Sequence, residues 1–155
     1  MSKKVIDALN AARSREISAI LQYMAQHYEM EDQGYGKLAD VLKKTGIQEM
    51  KHAEAFAIRI IFLGGEPTSK PDTLPKKGQD ILAIAETDMA LEEQAMKMYN
   101  DAIKVCTQEG DNVTRELFER ILREEDDHFN LFENIRDHVK SMGAAYIATL
   151  VGDEG

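Results

Sequence analysis

The sequence predicts an all-α fold: a four-helix bundle with one long crossover and a short fifth helix at the C-terminal end. Three observations carry this. Apolar residues recur at spacings of three and four along four long stretches, the signature of amphipathic helices. All three prolines, Pro67, Pro71 and Pro75, fall in Gly64–Gly78, where that periodicity is lost. Four residues in the first half have a counterpart 76 positions on: Glu16 and Glu92, Tyr23 and Tyr99, Glu49 and Glu125, His52 and His128. The halves therefore read as two copies of one helical hairpin, related by a pseudo-twofold axis.

The elements follow in order. The first helix is expected from about Lys4 to Asp32, closed by Gly34-Tyr35-Gly36, and the second from about Lys37 to Leu63. Gly64–Gly78 is the one long connection. The third helix is expected from about Gln79 to Glu109, where Gly110 ends it, and Asp111 or Asn112 caps a fourth that runs to Met142. Gly143 stops the fourth, and Ala144–Val151 reads as the short fifth. Helices of this length extend ~40 Å at about 1.5 Å per residue. Two short turns around one long connection give an up-down pair, a crossover, then a second pair.

A chain of 155 residues makes one domain, residues 1–155, that can bury a core without disulfides or a structural metal. The single Cys106 rules out an internal disulfide and any Cys-x-x-Cys metal knuckle, and fits a reducing compartment. Met1-Ser2-Lys3-Lys4-Val5-Ile6-Asp7 lacks the apolar run of a signal peptide, and no stretch is long enough to span a bilayer. A cytoplasmic protein is expected. A net charge of −9 argues against nucleic acid, whose phosphates need a basic face. It suits a protein that attracts cations, although plain solubility accounts for it as well.

The core stripes carry the chemistry. In the second helix the stripe reads Leu38, Leu42, Thr45, Glu49, His52, Phe56, Ile60, Leu63; in the fourth, Leu117, Ile121, Glu125, His128, Phe132, Ile135, Val139. Each is interrupted in its middle by a Glu and a His three positions apart, side by side on one face. The first helix gives Val5, Leu9, Ala12, Glu16, Ala19, Tyr23, and the third Ile81, Ala85, Asp88, Glu92, Ala95, Tyr99. Four helices thus deliver four carboxylates and two imidazoles to one interior. Unpaired buried carboxylates cost several kcal/mol each or bind protons. Two divalent cations would balance the four carboxylates, with both imidazoles bound neutral. Oxygen ligands with one nitrogen per metal suit Fe²⁺ or Mn²⁺ better than structural zinc. Glu49 and Glu125 are placed to bridge the metals, with Glu16 and Glu92 terminal. Tyr23 and Tyr99 would hydrogen-bond the terminal carboxylates of the opposite half.

Glu49-Met50-Lys51-His52-Ala53-Glu54, Arg59–Pro67, Asp88-Met89-Ala90-Leu91-Glu92 and Arg123–His128, with the Met142-Gly143 tail, resemble the bacterioferritin family of ferritin-like di-iron proteins essentially end to end. The resemblance implies a ferroxidase that oxidises Fe²⁺ with O₂ or H₂O₂ at two iron ions per subunit. It implies a homo-oligomeric shell of 24 subunits, built from dimers, that stores ferric mineral, and an electron donor of the ferredoxin type. It also implies haem b or a related porphyrin shared by two subunits at a twofold interface, with Met50 of each ligating the haem iron. Met50 lies about 100° around the helix from Glu49 and so points out of the bundle. Ile47 shares that outer face, and Ile17, Leu21 and Met24 form a second apolar stripe on the first helix. The family often carries a His and an Asp on the cavity side of the second helix; Lys44 and Gln48 stand there, so the route to the mineral is expected to differ.

The remaining candidates have plainer readings. His27 is expected to pack, His138 to serve carbonyls at a helix end, and Cys106 to be core. Beside Glu125, the acidic run Glu124–Asp127 is expected to be solvated, and the tail to pack near a fourfold axis of the implied shell. The alternative function is a rubrerythrin-like di-iron peroxide or oxygen reductase without a storage role. Such proteins usually carry an electron-supplying Cys-x-x-Cys iron domain, which one Cys cannot build.

Overall fold

The computed structural model describes residues 2–152. Its helices are α1 (Lys3–Asp32), α2 (Gly36–Phe62), α3 (Ile81–Gln108), α4 (Asn112–Met142) and α5 (Ala144–Ala148). The four long helices begin and end within about two residues of the expected positions. The fifth is shorter than expected, because Thr149 and Leu150 turn back with N–H groups bonded to the Tyr146 and Ile147 carbonyls. Among the described residues, no helix is long and apolar enough to cross a membrane.

Side chains set the helix starts. The Ser2 hydroxyl accepts from the Val5 N–H at 3.3 Å, Asp80 from Ala83 at 2.8 Å and Asp111 from Thr114 at 3.0 Å, each satisfying an amide the helix leaves unpaired. The tight turns need glycine: Gly34 and Gly110 follow α1 and α3 with φ of 85° and 72°, a region that penalises a Cβ.

α1 packs along α2, and α3 along α4; α1 meets α3 across the bundle. Two apolar clusters fill the interior, one towards each end. The first joins Val5, Leu9 and Phe56 to Tyr99, Phe118 and Ile121; the second joins Tyr23, Leu38 and Leu42 to Ile84 and Phe132. The α4 stripe differs in one place: Phe118 is fully buried and Leu117 only partly, since the larger ring fills the space between Phe56 and Tyr99. Between the clusters lies a polar layer.

The repeat survives in the packing. Tyr99 packs its ring on Phe56, centroids 5.7 Å apart, and Tyr23 stacks on Phe132 at 5.5 Å, so each Tyr rests on a Phe of the opposite half. The crossover 64–80 is tied to α1 by side chains. Arg13 donates to the Thr68 carbonyl, and Gln22 pairs with the backbone of Lys76. The tail is tied to the α1–α2 turn, where Gly152 N–H donates to the Gly34 carbonyl at 3.0 Å.

Candidate metal centre

The polar layer holds Glu16, Glu49, His52, Glu92, Glu125 and His128, all buried. They form two groups of four: Glu16, Glu49, His52 and Glu125 in one, Glu49, Glu92, Glu125 and His128 in the other. Within each group, one ligand atom per residue lies within 4.8 Å of the others. Glu49 and Glu125 belong to both. His52 Nδ1 is 3.0 Å from Glu49 Oε1 and 3.5 Å from both Glu16 Oε1 and Glu125 Oε1. His128 Nδ1 is 2.9 Å from Glu92 Oε2 and 3.0 Å from Glu125 Oε1. The imidazole rings face one another 6.2 Å apart.

Outside the histidines a second row mirrors the repeat. His128 Nε2 lies 2.6 Å from Gln48 Oε1, and His52 Nε2 lies 3.2 Å from Glu124 Oε2. Gln48 also donates to Glu124 at 2.7 Å, across the 76-residue offset that relates them. Each imidazole is therefore oriented by the residue just before the other half's helix Glu. This corrects the expectation that Glu124 is merely solvated. It also gives Gln48 a part in holding His128.

Sequence reasoning missed Arg15. Its side chain is buried, and Nη1 donates to Glu49 Oε2 at 2.6 Å and also to Glu125 Oε2. Nη2 donates to Glu92 Oε1 at 2.5 Å and to the Leu91 carbonyl at 3.2 Å. The signal was present: a buried carboxylate cluster calls for cations, and the residue just before Glu16 is an arginine.

The expected symmetry of the tyrosines fails. Tyr99 donates to Glu16 Oε1 at 2.5 Å, but the Tyr23 hydroxyl has no hydrogen-bond partner among the described residues. Arg15 and His128 already occupy the two oxygens of Glu92, which Tyr23 was expected to reach.

Burial and the charges of Glu125 and Glu49 hold the Glu16 pKa well above the ordinary carboxylate value. Burial also pushes Glu49 up, but Arg15 and hydrogen bonding outweigh it, and Glu49 is lowered. Desolvation would lower both histidines, yet the neighbouring carboxylates of Glu16 and Glu49 raise His52 to about 11, and those of Glu125 and Glu92 raise His128 to about 10. Burial opposes charge on Arg15 as well, but the four carboxylates outweigh it and raise its pKa.

The donor set fits a bound cation. Glu16 Oε2, Glu49 Oε1 and Glu125 Oε1 are buried acceptors without a donor, and His52 Nδ1 also lacks a hydrogen-bond partner. Groups left so are rare in folded interiors and are satisfied by an ion. Asp88 Oδ2, Gln26 Oε1 and the Tyr23 hydroxyl are likewise unpartnered, one turn along the bundle from Glu92.

Residues 6–142 match the family model of the ferritin-like domain. The chain is 46% identical over 149 residues to the bacterioferritin of Desulfovibrio desulfuricans, covering 96% of this chain and 83% of that protein. The chain belongs to the bacterioferritin family. The bacterioferritin of Rhodobacter capsulatus is 37% identical over 131 residues, 84% of this chain and 81% of that one. The crystal structure of the D. desulfuricans bacterioferritin, described as showing its diiron site in different catalytic states, superposes with a TM-score of 0.94 at 46% identity, covering 96% of this chain and 87% of that chain. The all-helical fold expected from the sequence is that of this bacterioferritin.

Elsewhere, Met50 is 42% exposed and Leu21 41%. With Ile20, Met24, Tyr28 and Pro75 they line a groove of about 560 Å³ on the outer face of α1 and α2. His27 Nδ1 lies 2.7 Å from the Ala39 carbonyl, so it packs as expected. His138 sits with its ring 5.1 Å from that of Tyr146 rather than on helix-end carbonyls. Cys106 is buried in the first apolar cluster.

Proposed function

We propose that this bacterioferritin is a ferroxidase and iron store, oxidising Fe²⁺ with O₂ or H₂O₂ at a two-iron centre and depositing ferric mineral inside a hollow 24-subunit shell. The observation that carries the reading is the pair of four-ligand groups sharing Glu49 and Glu125. Two iron ions held there would supply the redox chemistry. The chain's own residues do the holding: Glu49 and Glu125 between the two positions, Glu16 with His52 on one side, Glu92 with His128 on the other. Tyr99 fixes Glu16, while Gln48 and Glu124 fix the imidazoles from behind. The apolar clusters above and below keep bulk water away from these groups.

The outer groove would hold a haem shared between two copies across a twofold axis, with the Met50 thioether of each offered to its iron. An exposed thioether lining an apolar groove of about 560 Å³ supports this reading. Electron delivery by a ferredoxin-type partner and residence in the cytoplasm complete the reading.

The test is stopped-flow oxidation of Fe²⁺ by the assembled shell. Glu92→Gln or His128→Ala abolishes rapid oxidation and leaves the shell intact; unchanged rates would refute the centre. Met50→Leu removes the haem absorption spectrum with assembly unchanged, and retained haem refutes that ligand.

A further inference from the structure

We infer that Arg15 is a displaceable internal counter-cation, whose guanidinium competes with metal ions for Glu49, Glu92 and Glu125 and swings towards Asp72 when metal binds. The inference rests on the two-metal reading above and concerns how that centre fills. Three of the oxygens a metal pair would use, Glu49 Oε2, Glu125 Oε2 and Glu92 Oε1, already accept from the two Nη atoms of this one side chain. A guanidinium is a permanent cation with donors only, so it cannot make way by losing a proton. It can leave only by finding other acceptors.

Those acceptors lie on the crossover side. Nη2 already reaches the Leu91 carbonyl, and Leu91 lines a cavity of about 210 Å³ with Gln22 of α1 and with Thr73 and Leu74 of the crossover. The Ser18 hydroxyl, one turn on from Arg15, accepts from the N–H groups of Asp72 and Thr73 at 2.7 and 3.1 Å, pinning that segment beside α1. The counterpart of Arg15 in the second half is Leu91, so this cation has no symmetry mate. Held inward, the Arg15 guanidinium offsets part of the carboxylate charge, which lets the bundle fold before metal arrives. Each metal that enters must displace this arrangement, so affinity is set by exchange.

The experiment titrates metal-free assembled protein with Co²⁺, followed by its visible absorption, and records thermal melting before metal is added. Wild type is expected to bind two Co²⁺ per chain. Arg15→Met is expected to bind them about tenfold tighter while its metal-free form melts several degrees lower. Asp72→Asn removes the outer partner and is expected to weaken Co²⁺ binding several-fold. A merely structural arginine would not tighten binding when removed. If Arg15→Met fails to assemble without metal, Arg15→Lys takes its place: it keeps the charge but cannot span three carboxylates, and must still bind Co²⁺ more tightly than wild type. Equal affinity in wild type and the Arg15 variants overturns the exchange and leaves the centre standing. Absence of Co²⁺ binding in all of them overturns the centre itself.

Discussion

Tyr23 and Tyr99 occupy equivalent positions in the repeat, and the structure makes them unequal in a way that single-atom changes can measure. Tyr99 donates to Glu16 Oε1 at 2.5 Å inside the bundle, and Glu16 Oε2 has no donor at all. A hydrogen bond to a charged group contributes roughly 1.5–3 kcal/mol. If the bond is needed to present Glu16 to metal, Tyr99→Phe weakens the site built from Glu16, Glu49, His52 and Glu125 by about ten- to a hundredfold. The ring itself stays packed on Phe56 and Phe118, so the fold is not the cause of the loss. The site completed by Glu92 and His128 keeps its affinity, because Tyr99 does not touch it. Tyr23→Phe removes a buried hydroxyl that bonds to nothing and keeps its ring on Phe132, so neither site changes and stability is equal or higher. Stepwise Co²⁺ titration of both variants reads this directly. Equal losses in the two variants, or loss in Tyr23→Phe alone, would refute the reasoning.

Two further outcomes follow from buried and capping carboxylates. Asp88 is fully buried, and burial holds its pKa well above the ordinary value against the bond it accepts from Gln26 at 2.8 Å. The folded state therefore keeps a proton that the unfolded chain has lost, so stability falls as pH rises, by about 1.4 kcal/mol per unit above an unfolded pKa of about 3.9 until Asp88 ionises. Asp88→Asn is expected to melt higher than wild type, with a gap that widens with pH; a gap independent of pH, or a lower melting temperature, contradicts it. At the start of α4, burial works to raise Asp111, but Thr114 and Arg59 outweigh it and lower its pKa. Its stabilisation is present above the unfolded pKa and is lost as pH falls through the lowered folded value. Asp111→Ala is expected to cost about 1 kcal/mol at neutral pH and less in strong acid, as read from melting curves across that range.

The fold and the convergence of six buried carboxylate and imidazole side chains were legible because both rest on period and register. A Glu in the middle of an otherwise apolar stripe has nowhere to point but inward, and Glu16, Glu49, Glu92 and Glu125 do so. What the stripes could not reveal depends on side-chain reach. Arg15 lies off the stripe of α1, and only a long chain bending back into the bundle brings its guanidinium to the carboxylates. Glu124 and Gln48 likewise sit beside the stripe. Their bonds to the histidines depend on how closely α2 and α4 approach, which no single helix encodes. The Tyr23 error has the same source, since the hydroxyl lost its expected partner to Arg15.

The duplicated hairpin explains why shape and charge part company here. The shape is symmetric: each Tyr rests on the other half's Phe, and each His is held from behind by the residue before the other half's Glu. These contacts fix where helices lie, so a change in either half would misplace both metal positions at once. Charge is less constrained, because a buried cation needs only oxygens within reach. Replacing one member of the Arg15/Leu91 pair by a long cation leaves the packing intact while every carboxylate but Glu16 gains a donor from it. The two metal positions are thus alike in geometry and unlike in electrostatics. A symmetric fold can therefore present unequal sites to two identical ions.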